Sequence, residues 1–201
     1  RKIGQDIFYN YLIKFGFNEP TGIALPGEVR GKINNLKQGK DIDFATASFG
    51  QGVSVTPIEL ISAISVIAND GVLMKPIISA SEKSQVVRRV ISSETSKKVA
   101  QMMVSAVDKN KIAAISNYSI AGKTGTAFVP DFGKNGYTDE VINTYTGFAP
   151  AFDSKFVILI KLDKPEGSPL AGQTVVPAFR ELAQFILNYY NIAPDRLAIS
   201  N

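Results

Sequence analysis

Apolar residues recur at three- and four-residue intervals through Ile3, Ile7, Phe8, Tyr11, Leu12 and Phe15. That spacing predicts an amphipathic helix over residues 3–15, which Gly16 stops. The next stretch, Phe17 to Glu28, is broken by Pro20, Gly22, Pro26 and Gly27 and predicts an irregular connector. Residues 29–43 are polar and lysine-rich and read as a surface loop. Residues 45–55 are small and polar around Gly50-Gln51-Gly52, either a tight helix entry or a loop near a site. Thr56-Pro57-Ile58-Glu59 then carries a capping threonine, a first-turn proline and a returning glutamate, a strong helix start. The helix it opens, Pro57 to Asn69, is apolar on nearly every side and should be buried. Gly71 should end it in a left-handed turn.

Further on, residues 77–80 and 86–90 could pair as a short hairpin around Glu82-Lys83-Ser84. Ser93 is a candidate cap for a helix reaching about Asp108, with Val99, Met102, Met103 and Val107 inward and the methionines as core filler. Strands are expected over 119–128, 143–149 and 155–162 as an antiparallel meander, with a long polar loop at 130–141 and a turn at Pro150-Ala151-Phe152-Asp153. Phe156 to Ile160 is continuously apolar, which suits an interior strand covered on both faces. A last helix, about Val176 to Tyr190, should turn Phe179, Leu182, Ala183 and Ile186 inward. The pattern as a whole predicts an α+β chain.

The stretch with the most chemistry is Ala121-Gly122-Lys123-Thr124-Gly125-Thr126-Ala127. Glycine lets a ligand approach the backbone, lysine supplies a point charge with three donors, and the threonines add hydroxyls and favour a strand. Together they describe a strand edge able to receive a carboxylate and a developing oxyanion. By themselves the same residues also describe a glycine-interrupted strand with a solvated lysine. A phosphate loop is excluded: Asn117 stands where that motif needs glycine, and Pro130 and Gly133 argue for a turn where it needs a helix.

Composition narrows the chemistry. The 201 residues are 45% hydrophobic and 20% charged, enough for one globular domain. A net charge of +4 is scattered in small groups, so no nucleic-acid footprint is visible. There is no histidine and no cysteine. A Ser-His-Asp triad, a histidine-based zinc site, a thiol nucleophile and a disulfide are therefore excluded within the chain, and no cofactor is expected. Acyl transfer here would need lysine, a carboxylate or tyrosine as base. The most apolar run, Leu60 to Ala68, is far short of the roughly 20 residues of a membrane span. The chain opens at Arg1-Lys2-Ile3 without methionine or a signal peptide and reads as a piece of something longer.

An ordered series of blocks resembles the C-terminal half of the transpeptidase domain of class B penicillin-binding proteins, across nearly the whole chain. The blocks are Phe15-Gly16-Phe17, Thr21-Gly22-Ile23, Leu25-Pro26-Gly27-Glu28, Ser48-Phe49-Gly50-Gln51-Gly52 with Thr56-Pro57, and Ala68-Asn69-Asp70-Gly71-Val72. Gly122-Lys123-Thr124-Gly125-Thr126 and Gly147-Phe148-Ala149-Pro150 complete it. The resemblance implies a β-lactamase/transpeptidase-like α+β fold, an antiparallel sheet packed between helices, of which residues 1–201 would supply the three C-terminal strands. Of the family's three motifs, Ser-x-x-Lys, Ser-x-Asn and Lys-Thr-Gly, only the last is present. Thr95-Ser96-Lys97-Lys98 has matching spacing but sits on a surface-like helix.

By resemblance, Lys123 would orient the substrate carboxylate and support proton transfer, and Thr124 and Thr126 would hydrogen-bond the terminal D-alanine or β-lactam carboxylate. The Thr126 N–H would be one oxyanion-hole donor, and Gly125 would keep the strand open. Strict alternation nevertheless puts both threonine side chains on one face and Lys123 on the other. The implied activity is cross-linking of peptidoglycan stem peptides through a serine acyl-enzyme. Implied partners are D-Ala-D-Ala stem peptides, β-lactams, the upstream half of the same domain and a membrane glycosyltransferase of the division or elongation machinery. The implied location is the extracytoplasmic face of the bacterial cytoplasmic membrane. A D,D-carboxypeptidase or β-lactamase, or a non-catalytic sensor on the same fold, are the alternatives; the Thr21 to Glu28 block favours the transpeptidase. Lacking Ser-x-x-Lys, the 201-residue polypeptide alone should form no stable adduct with fluorescent penicillin on a denaturing gel. A labelled band that disappears when the protein is heat-denatured first would show that a nucleophile is present.

Overall fold

A computed structural model describes residues 3–131, 133–134 and 136–196. The elements are α+β, as the pattern predicts, and fall into two compact units, residues 1–96 and 97–201.

In the first unit, α1 (Gln5–Lys14) ends in a Schellman turn. Gly16 takes φ 95°, its N–H reaches Ile13 O, and the Phe17 N–H reaches Leu12 O. Arg88, from β2 (Val86–Arg89), donates to the Lys14 and Ile13 carbonyls and pairs with Glu19, satisfying the orphan carbonyls of the helix end. No residue of α1 is fully buried; Phe8, Leu12 and Phe15 are half-buried, while Ile3, Ile7 and Tyr11 face outward. The connector is irregular, and Glu28 closes it by accepting from the Thr21 N–H and hydroxyl and from the Gly22 N–H. The Thr21 hydroxyl, ahead of those backbone donors and against some desolvation, holds the Glu28 carboxyl below its usual range. That stabilisation is present above the ordinary carboxylate pKa and is lost as pH falls through the lowered one.

Residues 29–43 are more ordered than their polarity suggests. Ile33 and Leu36 are each 1% exposed around a short 3-10 turn, Asn34–Leu36, and α2 runs Asp41–Ala47. Two apolar residues three apart anchor the segment, and the Asp43 carboxylate caps the Lys40 N–H at 2.8 Å. The helix α3 (Pro57–Ala68) begins at the expected capping box. Its Glu59 does more than cap: at 1% exposure it accepts from the Thr56 N–H at 2.7 Å and from the Gly31 N–H at 2.9 Å to each oxygen. Gly31 has no room for a side chain, since a Cβ there would stand 2.7 Å from Glu59 Oε2. Past α3 the chain turns left-handed at Gly71 (φ 84°), as expected, and also at Asp70 before it (φ 54°), with the Gly71 N–H donating to Val66 O at 2.8 Å.

The expected pairing of 77–80 with 86–90 is replaced by β1 (Val72–Met74) on β2. Strand pairing begins directly after Gly71, at Val72, and Pro76, which has no N–H to donate, follows β1 by two residues. A small core of Val66, Leu73 and Val90 lies beneath.

The helix α4 (Ser93–Asn110) starts one residue earlier than expected in its cap, since the Ser92 hydroxyl accepts the Thr95 N–H. Its buried face is Ser96, Ala100, Met103, Val104 and Val107; Met102 points outward at 68% exposure. Ser96 is buried and donates to Ile67 O, an anchoring contact.

The second unit holds the sheet β3 (Ala121–Asp131), β4 (Gly136–Ala149), β5 (Phe156–Asp163) in that antiparallel order. The polar loop expected at 130–141 is mostly strand. Cross-strand pairing continues to Asp131↔Gly136 past a register shift between Phe128 and Pro130, so a polar hairpin extends the ladder. Phe132 and Asn135 of that expected loop lie outside the described residues.

The last helix, α5 (Val175–Tyr189), covers one sheet face with Val176, Phe179, Ala183 and Leu187, all buried. Leu182, expected inward, is 42% exposed, because the 176-179-183-187 line leaves it on the flank. The tail is pinned beside the start of β3: Asp195 accepts from the Ser119 N–H and hydroxyl, and Arg196 forks onto Asp108 at 2.9 Å through two bonds. Among the described residues β5 pairs only with β4, leaving the other edge of an apolar strand open. Such edges recruit strands. The 201-residue polypeptide should therefore self-associate or aggregate at micromolar concentration in sedimentation. A monodisperse monomer with protected amides along 156–163 would contradict this.

Candidate active site

The site is a strand edge, and β4 sets its geometry. The register pairs Lys123 with Thr146, Thr124 with Tyr145, Gly125 with Thr144 and Thr126 with Asn143. Alternation therefore gives two faces. Gly122, Thr124 and Thr126 share a face with Asn143, Tyr145 and Gly147, and this face is anchored on α5 through the Tyr145–Phe179 edge-to-face contact at 4.6 Å. Lys123 and Gly125 share the other with Thr144 and Thr146.

The separation of Lys123 from the two threonines is bridged around the edge. Lys123 Nζ lies 2.6 Å from Thr124 O and 3.5 Å from Thr124 Oγ1. The Thr124 carbonyl therefore faces away from β4. In an antiparallel ladder a residue's N–H and C=O point to the same side and the direction alternates along the strand. The Thr126 N–H, two residues on, faces the same open edge. A cation, a hydroxyl and a backbone donor thus lie along one open strand edge, with Lys123 and Thr126 exposed and Thr124 and Gly125 half-buried.

Close packing holds this edge to its register. A Cβ on Gly122 would overlap the Tyr145 hydroxyl, and a Cβ on Gly125 would overlap Thr144 Oγ1. Gly147 is equally confined, with Phe179 Cζ 2.6 Å and Ala121 O 2.8 Å from where its Cβ would be. The Gly125 requirement is therefore set by β4 as well as by any ligand. Burial pushes the Tyr145 phenol well above its ordinary pKa, so it stays a neutral wedge at physiological pH.

Three residues outside the motif complete the site. Thr126 Oγ1 donates to Asn143 Oδ1 at 3.2 Å, Asn143 Nδ2 donates to Thr174 Oγ1 at 3.1 Å, and Thr174 donates to Leu170 O at 3.1 Å. Asn143 is fully buried. An amide side chain between Ile142 and Thr144 was its only sequence signal. Tyr145 carried none beyond strand propensity. The described residues contain no His, Cys, Asp and Glu cluster able to hold a metal. No described helix is long and apolar enough to cross a membrane.

Residues 1–184 match the family model described as the penicillin binding protein transpeptidase domain, and the chain belongs to that family. It is 34% identical to the penicillin-binding protein PbpB of Mycolicibacterium smegmatis over 97% of this chain and 34% of that protein. It is 35% identical to the stage V sporulation protein D of Bacillus subtilis over 87% of this chain and 29% of that protein. The chain thus spans about a third of the length of these relatives. Among solved structures, the transpeptidase domain of Burkholderia pseudomallei penicillin-binding protein 3 superposes with a TM-score of 0.84 at 26% identity, covering 96% of this chain and 60% of that one. Penicillin-binding protein 3 of Mycobacterium tuberculosis complexed with ampicillin gives 0.83 at 29%, covering 99% and 50%.

The glycine constraint is testable. Gly122→Ala should destabilise the fold by about 1–3 kcal/mol, since Tyr145 must leave its contact with Phe179. Denaturant melts of the two proteins read this, and pairing the change with Tyr145→Phe, which removes the overlapping hydroxyl, should recover part of the loss.

Proposed function

We propose that this chain is the substrate-carboxylate wall of a peptidoglycan D,D-transpeptidase that cross-links stem peptides through a serine acyl-enzyme and is acylated by β-lactams. The observation that carries the reading is the open edge of β3, where Lys123 Nζ, the Thr124 hydroxyl and the Thr126 N–H converge. Two comparisons support it. A relative at 33% identity is named peptidoglycan D,D-transpeptidase FtsI, from Buchnera aphidicola, and structural neighbours of this fold are complexed with ampicillin and aztreonam.

In this reading Lys123 and Thr124 hold the carboxylate of the terminal D-alanine or of the β-lactam. The carboxylate is acceptor-only, so a cation and a hydroxyl donor match it. Thr126 gives its N–H to the oxyanion that forms as the serine attacks, and Gly125 keeps the backbone approachable. The serine nucleophile, its lysine base and the second oxyanion donor come from segments other than this chain. The working unit is then residues 1–201 with the upstream half of the same domain, held at the extracytoplasmic face of the bacterial cytoplasmic membrane. A membrane glycosyltransferase is the partner such an enzyme would serve.

The test uses the full-length protein and a fluorescent penicillin. Lys123→Ala should lower the acylation rate at least about 100-fold, in line with the loss of one preorganised charge-stabilising group, and Thr126→Val should lower it less because the N–H is kept. Acylation within threefold of wild type for Lys123→Ala would overturn the assignment.

A further inference from the structure

The ladder between β3 and β4 runs into a proline. Continuing the register past Ala121↔Phe148 sets Ser119 opposite Pro150. By strand alternation Ser119 turns its N–H and C=O toward β4, as Ala121 and Lys123 do. Pro150 has no N–H, so the regular bond to the Ser119 carbonyl cannot form. Ala151 takes that place, its N–H donating to Ser119 O at 2.9 Å and to Ser119 Oγ at 2.8 Å. The Ser119 N–H donates instead to Asp195 Oδ1 at 2.7 Å. The Ser119 hydroxyl gives its one hydrogen to Asp195 Oδ2, which leaves its lone pairs for Ala151. Ser119 is 1% exposed, and each of its polar groups is met in this way. Asp195 sits on a strap that follows α5, beyond the residues 1–184 that the family model matches. Three contacts seat the strap. The Tyr118 hydroxyl donates to Ile192 O at 2.6 Å, the Arg196 N–H donates to Asn117 O at 3.1 Å, and the Arg196 guanidinium forks onto Asp108.

We infer that Asp195 is a positioning residue: it closes the β3–β4 ladder where Pro150 interrupts it, and through Ser119 it holds the Lys123 to Thr126 edge in place for acylation. The consequence for acylation rests on the transpeptidase reading above. Among the described residues β3 has β4 as its single strand neighbour, so an end that frays has no second ladder to hold it. Ser119 precedes Lys123 by four residues, about 13 Å of strand. An opening that starts at Ser119 therefore crosses only Ile120, Ala121 and Gly122 before it reaches the cation. Gly122 and Gly125 leave this part of the strand with a freer backbone than side-chain-bearing residues would. The carboxylate supplies both acceptors that Ser119 needs, and a charged acceptor makes the stronger bond.

The test compares the full-length protein with its Asp195→Ala, Asp195→Asn and Ser119→Ala variants, at a temperature where each is fully folded. Native-state hydrogen exchange reads the ladder, and the rate of labelling by fluorescent penicillin reads the site. In Asp195→Ala the amides of Ser119, Ala121 and Lys123, which face β4, should exchange at least about tenfold faster, while those of β5 and α5 keep their wild-type rates. Acylation should slow about three- to tenfold, the scale of one lost positioning interaction. Asp195→Asn keeps one acceptor and should fall between wild type and Asp195→Ala; it also carries the test if the alanine variant does not fold. Ser119→Ala with Asp195→Ala should be no slower than the slower single variant, because both act at one junction. Wild-type exchange at the three β3 amides would overturn the inference. So would a rise spread evenly over β5 and α5, which marks general loss of stability, or a wild-type acylation rate beside an opened ladder. A wild-type protein that takes no label would sink the transpeptidase reading instead, and the exchange measurement would still decide whether Asp195 closes the ladder.

Discussion

The antiparallel register of β3 on β4 is the constraint on which the site depends. It decides which backbone groups of the Lys-Thr-Gly-Thr stretch face a neighbour and which face the open edge. A slip of one residue would turn the Thr126 N–H into the ladder and carry Thr124 to the opposite face. The register is fixed by shape more than by hydrogen bonding, since every antiparallel register makes similar backbone bonds. Tyr145 fits over Gly122, Thr144 over Gly125, and Phe179 over Gly147. Each large group needs a glycine at one place only, so three contacts agree on a single alignment. Tyr145 and Phe179, both buried, transmit that alignment to α5.

This also separates two demands on the same glycines. A strand edge that receives a ligand needs bare backbone on its open side, while β4 needs bare backbone on the face of the sheet. Gly125 answers both, because the missing side chain clears Thr144 and leaves the strand slim. Gly122 answers chiefly the second. In unit 1 the same economy appears at Gly31, where the Glu59 carboxylate takes the space of a side chain and uses the Gly31 N–H. Buried carboxylates are tolerated when their lone pairs are met, and Glu59 meets this with backbone and hydroxyl donors.

Local signals were legible in the sequence wherever a residue type has one structural use. The Thr56–Glu59 capping box, the glycine stop after α1 and the extended Lys-Thr-Gly-Thr run are found where the pattern puts them. Signals that depend on distant partners were not. Ile33 and Leu36 lie in a lysine-rich stretch, and their burial is set by packing that polarity hides. Residues 130–141 look like a loop because Pro130 and the glycines interrupt the alternation, yet cross-strand pairing absorbs the proline at a register shift. Met102 and Leu182 are apolar at helical spacing but stand one flank away from the buried line. Asn143 needed the register before its partner opposite could be named.

The resting contact of Lys123 bears on how such an edge works. Its ammonium lies on the Thr124 carbonyl, 2.6 Å away, so the long side chain is already turned around the edge toward the threonine face. Much of the rotamer freedom that binding would remove is therefore gone beforehand. On the proposed reading, an arriving carboxylate takes the place of a neutral carbonyl. The exchange replaces a charge–dipole bond with one between two ions, in which both partners carry charge. The Thr124 carbonyl it releases faces the same open edge and becomes an acceptor for a backbone N–H of an extended peptide lying along β3. A peptide substrate with a terminal carboxylate can use both groups, which is the chemistry an open strand edge with a neighbouring cation is built to recognise.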